Sequence, residues 1–566
     1  MKKIYLISFV IFCILLLNAC FSPWTSGEGT ITFNFGSSNT NARNGYFVNV
    51  DDFEYKDFRH EVHFLSANGN FFKVGEFAGD RGTVTVPVGT YKVIVKGYGF
   101  LNDGDNEELR SYGISETTYT ITAGKNENVP VEMFSAVEVT SWEHFFTIVN
   151  EVNEENSNSL LPYQELYILL SGEKDGYTLN DDGGIEIISC NITLIAENDL
   201  VIDCGSFDLG SMFIVGQGDK LTLGVEGMVG SITLKGNSDG SPFPLIYVFG
   251  TLVMNDRVTI KDHVNNDTEG DGRGGGVYVD GGTFDMYGGE IVNNKANQGA
   301  GVFMSGGTFN MESGSITQNK ANQGTIGDNR SSGGGVFVAF EAIFYLKGGA
   351  ISHNESHLGG GGGIYVSGST VEIHDGSLIT ENIAKVDTAS GGGMFISGVT
   401  SVVTMYGGDI TKNTANNGGG VFFAMGTFNM YGGTIGGSEE NANSANNAGG
   451  GVAFYVDTTG AFVVGGTAVI SSNIATDPMK GNNVFLQQNA QQIMLLTLGV
   501  GANAPVLGME IWVTRGLEND TAGTGVIVQS ATFEQRDFFK ADQPYNINYT
   551  VIYNSSTDAL EIEAAQ

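Results

Sequence analysis

Residues 274–294, GGGVYVDGGTFDMYGGEIVNN, hold three short submotifs in succession, and their return along the chain decides the fold. The first is a glycine triplet followed by apolar, aromatic and apolar residues. It recurs, with drift, as GAGVFM at Gly299, GGGVFV at Gly333, GGGIYV at Gly361, GGGMFI at Gly391, GGGVFF at Gly418 and GGGVAF at Gly449. Taken at the first apolar residue, positions 277, 302, 336, 364, 394, 421 and 452 lie 25, 34, 28, 30, 27 and 31 residues apart. A fixed motif at a drifting period means a constant coil carrying variable loops, the mark of a solenoid.

The second submotif is an alternating strand. Phe284, Phe309, Phe344, Val371, Val403, Phe428 and Phe462 are apolar in every copy, as are Met286, Met311, Leu346, Ile373, Met405, Met430 and Val464. Polar or polar-tipped residues such as Asp285, Asn310, Glu372, Thr404 and Asn429 stand between them, so one face is core and the other meets water. The third is Ile-x-x-Asn, ending at Asn294, Asn319, Asn354, Asn382, Asn413 and Asn473. Asparagine tolerates left-handed turns and its amide bonds to copies above and below, so an asparagine ladder at one corner of the stack is expected. Three strands and three turns per repeat predict an all-β, right-handed parallel β-helix with one parallel sheet per side. At ~4.8 Å per coil, ten or more coils make a stack of roughly 50 Å.

These repeats resemble those of pectate-lyase-like β-helix surface proteins, and are similar to the GGA(I/L/V) and Phe-x-x-Asn units of chlamydial polymorphic outer-membrane proteins. The likeness is strong over about 270–485 and weak over 160–270. It implies an adhesin-like surface protein. Two departures stand out: isoleucine replaces the family's phenylalanine before Asn, and only about 80 residues lie beyond Asn483, too few for an outer-membrane barrel.

The rest of the chain frames this array. Lys2, Lys3 and the apolar run Ile4–Leu17 read as a secretion signal, and Leu17-Asn18-Ala19-Cys20 resembles the bacterial lipobox, with Asn18 off the commonest pattern. Residues 1–19 are thus expected to be removed and Cys20 acylated, anchoring the protein to the bacterial envelope, at the outer membrane or cell surface. After a tether over 20–28, residues 29–135 read as a small β-sandwich. Its Val86-Pro87-Val88-Gly89-Thr90-Tyr91 turn resembles that of transthyretin-like or Ig-like modules, with Tyr91 packing back on the core. Residues 136–160 hold a capping helix and linker: Trp142, Phe145, Phe146, Val149 and Val152 share one face behind a Ser141 N-cap. The β-helix is expected over 161–500, with irregular last coils and a cap over 501–566.

A net charge of −36 repels phosphate backbones and argues against nucleic-acid partners. Cys190 and Cys204 are the only cysteines after Cys20; export permits a disulfide, and two buried thiols fit equally. Three places invite chemistry. The aromatics Tyr278, Phe303, Phe337, Tyr365, Phe395 and Phe422, one per coil, form either an exposed stripe for sugar or protein, or a covered stack that serves stability. Glu312, Lys347 and His374 fall in register with Glu372 close by, an acid–base set for a polysaccharide lyase or hydrolase or else a solvated ladder. The loop Asp267–Gly272 is oxygen-rich enough for calcium but lacks an EF-hand's downstream glutamate, and Asp103–Glu108 reads alike. No metal or other cofactor is expected beyond that. His353 and His357 sit four apart on a β-coil, a spacing that does not converge there as it would on a helix. The expected function is non-enzymatic adhesion or recognition of host protein or glycan, with a polysaccharide-active enzyme and a purely structural envelope protein as alternatives.

Overall fold

The computed structural model describes residues 28–34, 59–79, 81–100, 107–115, 117–158, 165–172, 177–179, 183–187, 190–267, 272–321, 331–385, 389–454, 460–477, 480–487, 494–516, 522–543 and 548–564. The signal, Cys20 and nearly all of the tether lie outside them. The chain divides into two compact units, one formed by the residues up to Glu138 with Glu165–Ile168, the other by Val139–Gln164 and everything from Leu169 onward.

The first unit is a module of two sheets. Glu28–Asn34 lies between Arg81–Pro87 and Asn126–Asn128 in one. In the other, Gly89–Phe100 pairs with Arg59–Ser66, Glu107–Ile114 and Tyr119–Ile121. Alternation puts Ile31, Phe33, Val62, Phe64, Val84, Val86, Val93 and Val95 in the shared core. Tyr91 does pack back: its ring stacks on Phe64 with centroids 4.5 Å apart and its hydroxyl donates to the Val88 carbonyl.

The second unit is a parallel β-solenoid of about 12 turns. Three rows of strands run down it. Row a contains Val277–Asp280, Val302–Ser305, Val336–Ala339 and Ile364–Ser367, paired in register from coil to coil. Row b contains Thr283–Met286, Thr308–Met311, Ile343–Leu346, Thr370–Ile373, Val402–Met405 and Thr427–Met430. Row c contains Glu290–Val292, Ser315–Thr317, Gly349–Ser352 and Ser377–Thr380. A short fourth row, begun by Lys295–Ala296 and Lys320–Ala321, follows each ladder residue.

The inward residues are those the alternation marks. Phe284, Phe309 and Phe344 stack face to face at 4.6 and 4.7 Å, and all three are fully buried. Triplet glycines are required because a coil must pass close beneath its neighbour. Gly333 has φ +65°, and a Cβ on Gly335 would come 2.7 Å from the Gly363 carbonyl oxygen of the next coil.

The asparagine ladder is present and longer than the motif indicates. Each rung donates its Nδ2 to the next rung's Oδ1, as Asn294 to Asn319 (3.1 Å), Asn319 to Asn354 (3.1 Å), Asn354 to Asn382 (3.0 Å) and Asn382 to Asn413 (3.0 Å). The same Nδ2 donates back to an isoleucine carbonyl, and the next Oδ1 also accepts the rung's own backbone N–H. Buried amides are fully satisfied in this way, which burial otherwise makes costly. The series continues from Asn413 through Asn443 and Asn473 to Asn483.

Its two ends are chemically distinct. Upstream of Asn294 the rung is His263, whose backbone N–H donates to Asn294 Oδ1. Its Nδ1 accepts from the Asn237 N–H and its Nε2 meets the Phe243 carbonyl at 2.8 Å, so the ring is neutral with the proton on Nε2. Burial pushes its pKa down to about 4. Downstream, Asn483 donates Nδ2 to Asp542 Oδ1 at 2.7 Å and its N–H to Oδ2 at 3.2 Å, while Thr514 donates to Oδ2 at 2.8 Å. Bonds all run one way along the ladder, so its last member needs only to accept, and a carboxylate does that.

Helix α1 (Trp142–Asn158) covers the first coil. Ser141 Oγ caps it, accepting the His144 N–H, and Trp142 and Phe145 meet Phe213. Ile148 fills the buried face where Phe146 was expected, and Phe146 is half-buried. At the far end an antiparallel hairpin, Tyr549–Asn554 with Ala559–Ala564, pairs with Gly525–Gln529 and closes the stack. Both ends therefore cover the strand edges a solenoid leaves open.

Candidate recognition face

Row a carries the aromatic series. Its alternation points Tyr278, Phe303, Phe337, Tyr365, Phe395 and Phe422 outward, because Val277 and Val279 are in the core. They do not form an exposed stripe. Phe303, Phe337 and Phe422 are buried and the other three half-buried. Each ring lies against the next, Phe337 on Tyr365 at 4.6 Å and Tyr365 on Phe395 at 4.9 Å, and the Arg273 guanidinium sits 5.3 Å from the Phe303 ring. The rings shield one another, and the apolar faces that a ligand would need are largely occupied. This is a covered stack.

Row b is different in chemistry, because its outward column is mostly polar. Its outward positions include Asp285, Asn310, Tyr345 and Glu372, in register on successive coils. Directly after the strands come Tyr287, Glu312, Lys347, His374, Tyr406 and Tyr431. The four residues of the acid–base set do share this face, but as two separate pairs. Lys347 Nζ bonds Glu312 Oε1 at 2.7 Å, and His374 Nε2 lies 3.3 Å from Glu372 Oε2 while its ring stacks on Tyr406 at 5.4 Å. The bond from Glu312 pushes the Lys347 pKa up, away from the range of a general base.

Exposed apolar residues gather on the same face. Tyr287 and Tyr406 stand on the edge after row b, Phe340, Val399 and Met425 on the edge before it, and Val402 on the strand itself; all are exposed. None was singled out by motif, because each sits where other coils carry glycine or a polar residue. The common signal was register: counting from the row-b strand places Tyr287, Lys347, His374 and Tyr406 in one column.

The remaining candidates resolve simply. Cys190 and Cys204 are both buried thiols, so no disulfide joins them, and burial pushes the Cys204 pKa up to about 12. His353 and His357 pair with different carboxylates, Glu381 and Glu355, the latter also bonded by Lys385 at 2.5 Å. Most of the Asp267–Gly272 loop and of Asp103–Glu108 lies outside the described residues. Among the described residues no group of three or more His, Cys, Asp or Glu side chains is placed to hold a metal ion. No family model, no curated protein and no solved structure matches this chain. The class that the geometry defines is a capped parallel β-solenoid with a buried amide ladder.

Proposed function

We propose that this is a binding protein, exported and lipid-anchored through Cys20 to the bacterial envelope, whose solenoid offers its row-b face for adhesion to host protein or glycan. One observation carries the reading: exposed Tyr287, Phe340, Val399, Val402, Tyr406 and Met425 collect on one side of a stack whose remaining aromatic column is covered. Apolar residues exposed on one face and interspersed with polar ones are a mark of interaction sites. Tyrosine edges beside Glu312–Lys347 and Glu372–His374 supply the mixed apolar and polar contacts that such sites use. The Glu312–Lys347 pair favours recognition over turnover, since that acid has a cation beside it rather than a substrate proton to move.

The test is binding of the intact, folded chain to arrays of host matrix proteins and glycans, with Tyr406→Ala beside it. Binding that falls at least tenfold in Tyr406→Ala supports the reading. A chain that binds nothing on either array, or binds with Tyr406→Ala unchanged, refutes the assignment of this face.

A further inference from the structure

The turn that leads from row a into row b is built from glycine in most coils. Gly281, Gly306, Gly307 and Gly368 occupy it with φ between +64° and +74°, the left-handed region that an L side chain disfavours. In the coil between Gly306 and Gly368 the same turn is Phe340–Glu341, with φ of +55° and +63°. Two successive non-glycine residues in that region, the first of them bulky, make a strained turn. Folding does not recover the cost through burial, since Phe340 is 59 % exposed. Its ring projects beside turns that have no side chains, and the Arg273 guanidinium lies 5.5 Å from its centroid.

The surroundings say what kind of group would meet this ring. Ile343 and Tyr345 face outward from the same coil, and Val399, 69 % exposed, stands on the same edge two coils on. Carboxylates outnumber cations among the polar positions: Asp285, Glu312, Glu341, Glu372 and Asp375 against Lys347, which Glu312 already holds, and Arg273 beside the Phe340 ring. A second copy of a chain of charge −36 is repelled by this field. A neutral sugar makes no use of the negative charge. A basic protein surface with an apolar cleft satisfies both features, and an aromatic side chain backed by arginine is the usual composition of an energetic centre in such contacts.

We propose that Phe340 is the anchor by which this face holds a protein partner whose apolar pocket is rimmed by lysine and arginine. The inference rests on the row-b face being a recognition surface. Phe340→Asn is the variant of choice, because asparagine accepts the left-handed turn and removes only the ring. Random peptides displayed on phage are selected on the full wild-type chain, and the winners are synthesised and titrated against wild type, Phe340→Asn, Tyr406→Ala and a distant control, Phe533→Ala. The expected winners join apolar residues to Lys or Arg. They lose at least tenfold in affinity for Phe340→Asn, keep it for Phe533→Ala, and weaken severalfold on raising salt. The urea midpoint of Phe340→Asn stays at or above that of wild type.

Winners that bind Phe340→Asn as well as wild type overturn the anchor. If they still depend on Tyr406, the recognition face stands without it. Independence of both residues, or no enrichment at all, removes the anchor and the face together. Phe340-dependent binding of uncharged glycans in place of basic peptides overturns the protein partner, and a lowered urea midpoint marks Phe340 as a packing residue instead.

Discussion

The direction of the amide ladder makes a sharp demand on substitutions along it. Asn382, at mid-ladder, donates Nδ2 to the Ile351 carbonyl at 2.9 Å and to Asn413 Oδ1 at 3.0 Å. Its Oδ1 accepts the N–H and the Nδ2 of Asn354, both at 3.0 Å. Asn382→Ala removes all four bonds, and at a net ~1 kcal/mol each the loss is about 4 kcal/mol, more if the stranded groups stay dry. Asn382→Asp has the same shape, yet it should be worse. A carboxylate oxygen replaces the donor and faces two oxygens, with a charge that burial already disfavours. Asp542→Asn makes the converse change at the acceptor-only end. Oδ1 still receives Asn483 Nδ2, Thr514 can turn to accept and a buried charge is removed, but the Asn483 N–H loses its acceptor at Oδ2, and the loss should be about 1–2 kcal/mol. Equilibrium urea unfolding followed by circular dichroism, with slopes and midpoints compared, gives the ranking directly. An Asn382→Asp midpoint equal to or above that of Asp542→Asn would refute the one-way ladder.

Two further outcomes follow from the same corner of the stack. His263 has its folded pKa depressed from 6.5 to about 4, so its contribution is complete above pH 6.5 and is lost as pH falls toward 4. A depression of that size corresponds to ~3 kcal/mol, and urea midpoints measured from pH 7 to pH 4 should fall less for His263→Asn than for wild type; parallel curves would count against a neutral buried ring. Gln318 sits just before a ladder asparagine with φ +57° and is exposed, as Asn293 is placed one coil earlier with φ +56°. Gln318→Asn should raise the thermal midpoint by an amount equivalent to about 0.5 kcal/mol, and a fall would show that the glutamine makes a contact worth more than the backbone preference.

How much of this could be read from the chain depends on whether a residue's neighbours resemble it. Phe284, Phe309 and Phe344 are legible because in a parallel stack each touches its own equivalent, so repetition in sequence is contact in space. Asn443 is invisible to the Ile-x-x-Asn pattern for a local reason. A 3-10 turn at Glu439–Asn441 is inserted between Ile435 and the rung, and the bonding to Asn473 is untouched by it. Asp542 escapes because it reproduces only the accepting half of the amide's hydrogen bonding that its end of the ladder requires, and His263 because it meets Asn294 through its backbone N–H rather than its side chain.

The proposed recognition face fails to announce itself for the opposite reason. Alternation says which way a side chain points, and with Val277 and Val279 in the core it turns Tyr278 and Phe303 outward. Exposure is another matter, because coils packed about 4.8 Å apart bring like rings into contact, and a column of aromatics covers itself. Phe303, with Tyr278 and Phe337 as neighbours in its column, is buried. Phe340 has glycine on both sides in its own column, and no neighbouring ring covers it. On the proposed reading, a break in the repeat marks the recognition site in such a stack, while the repeat itself carries the fold. The residue to examine first in a solenoid is the one that stands where its neighbours have none.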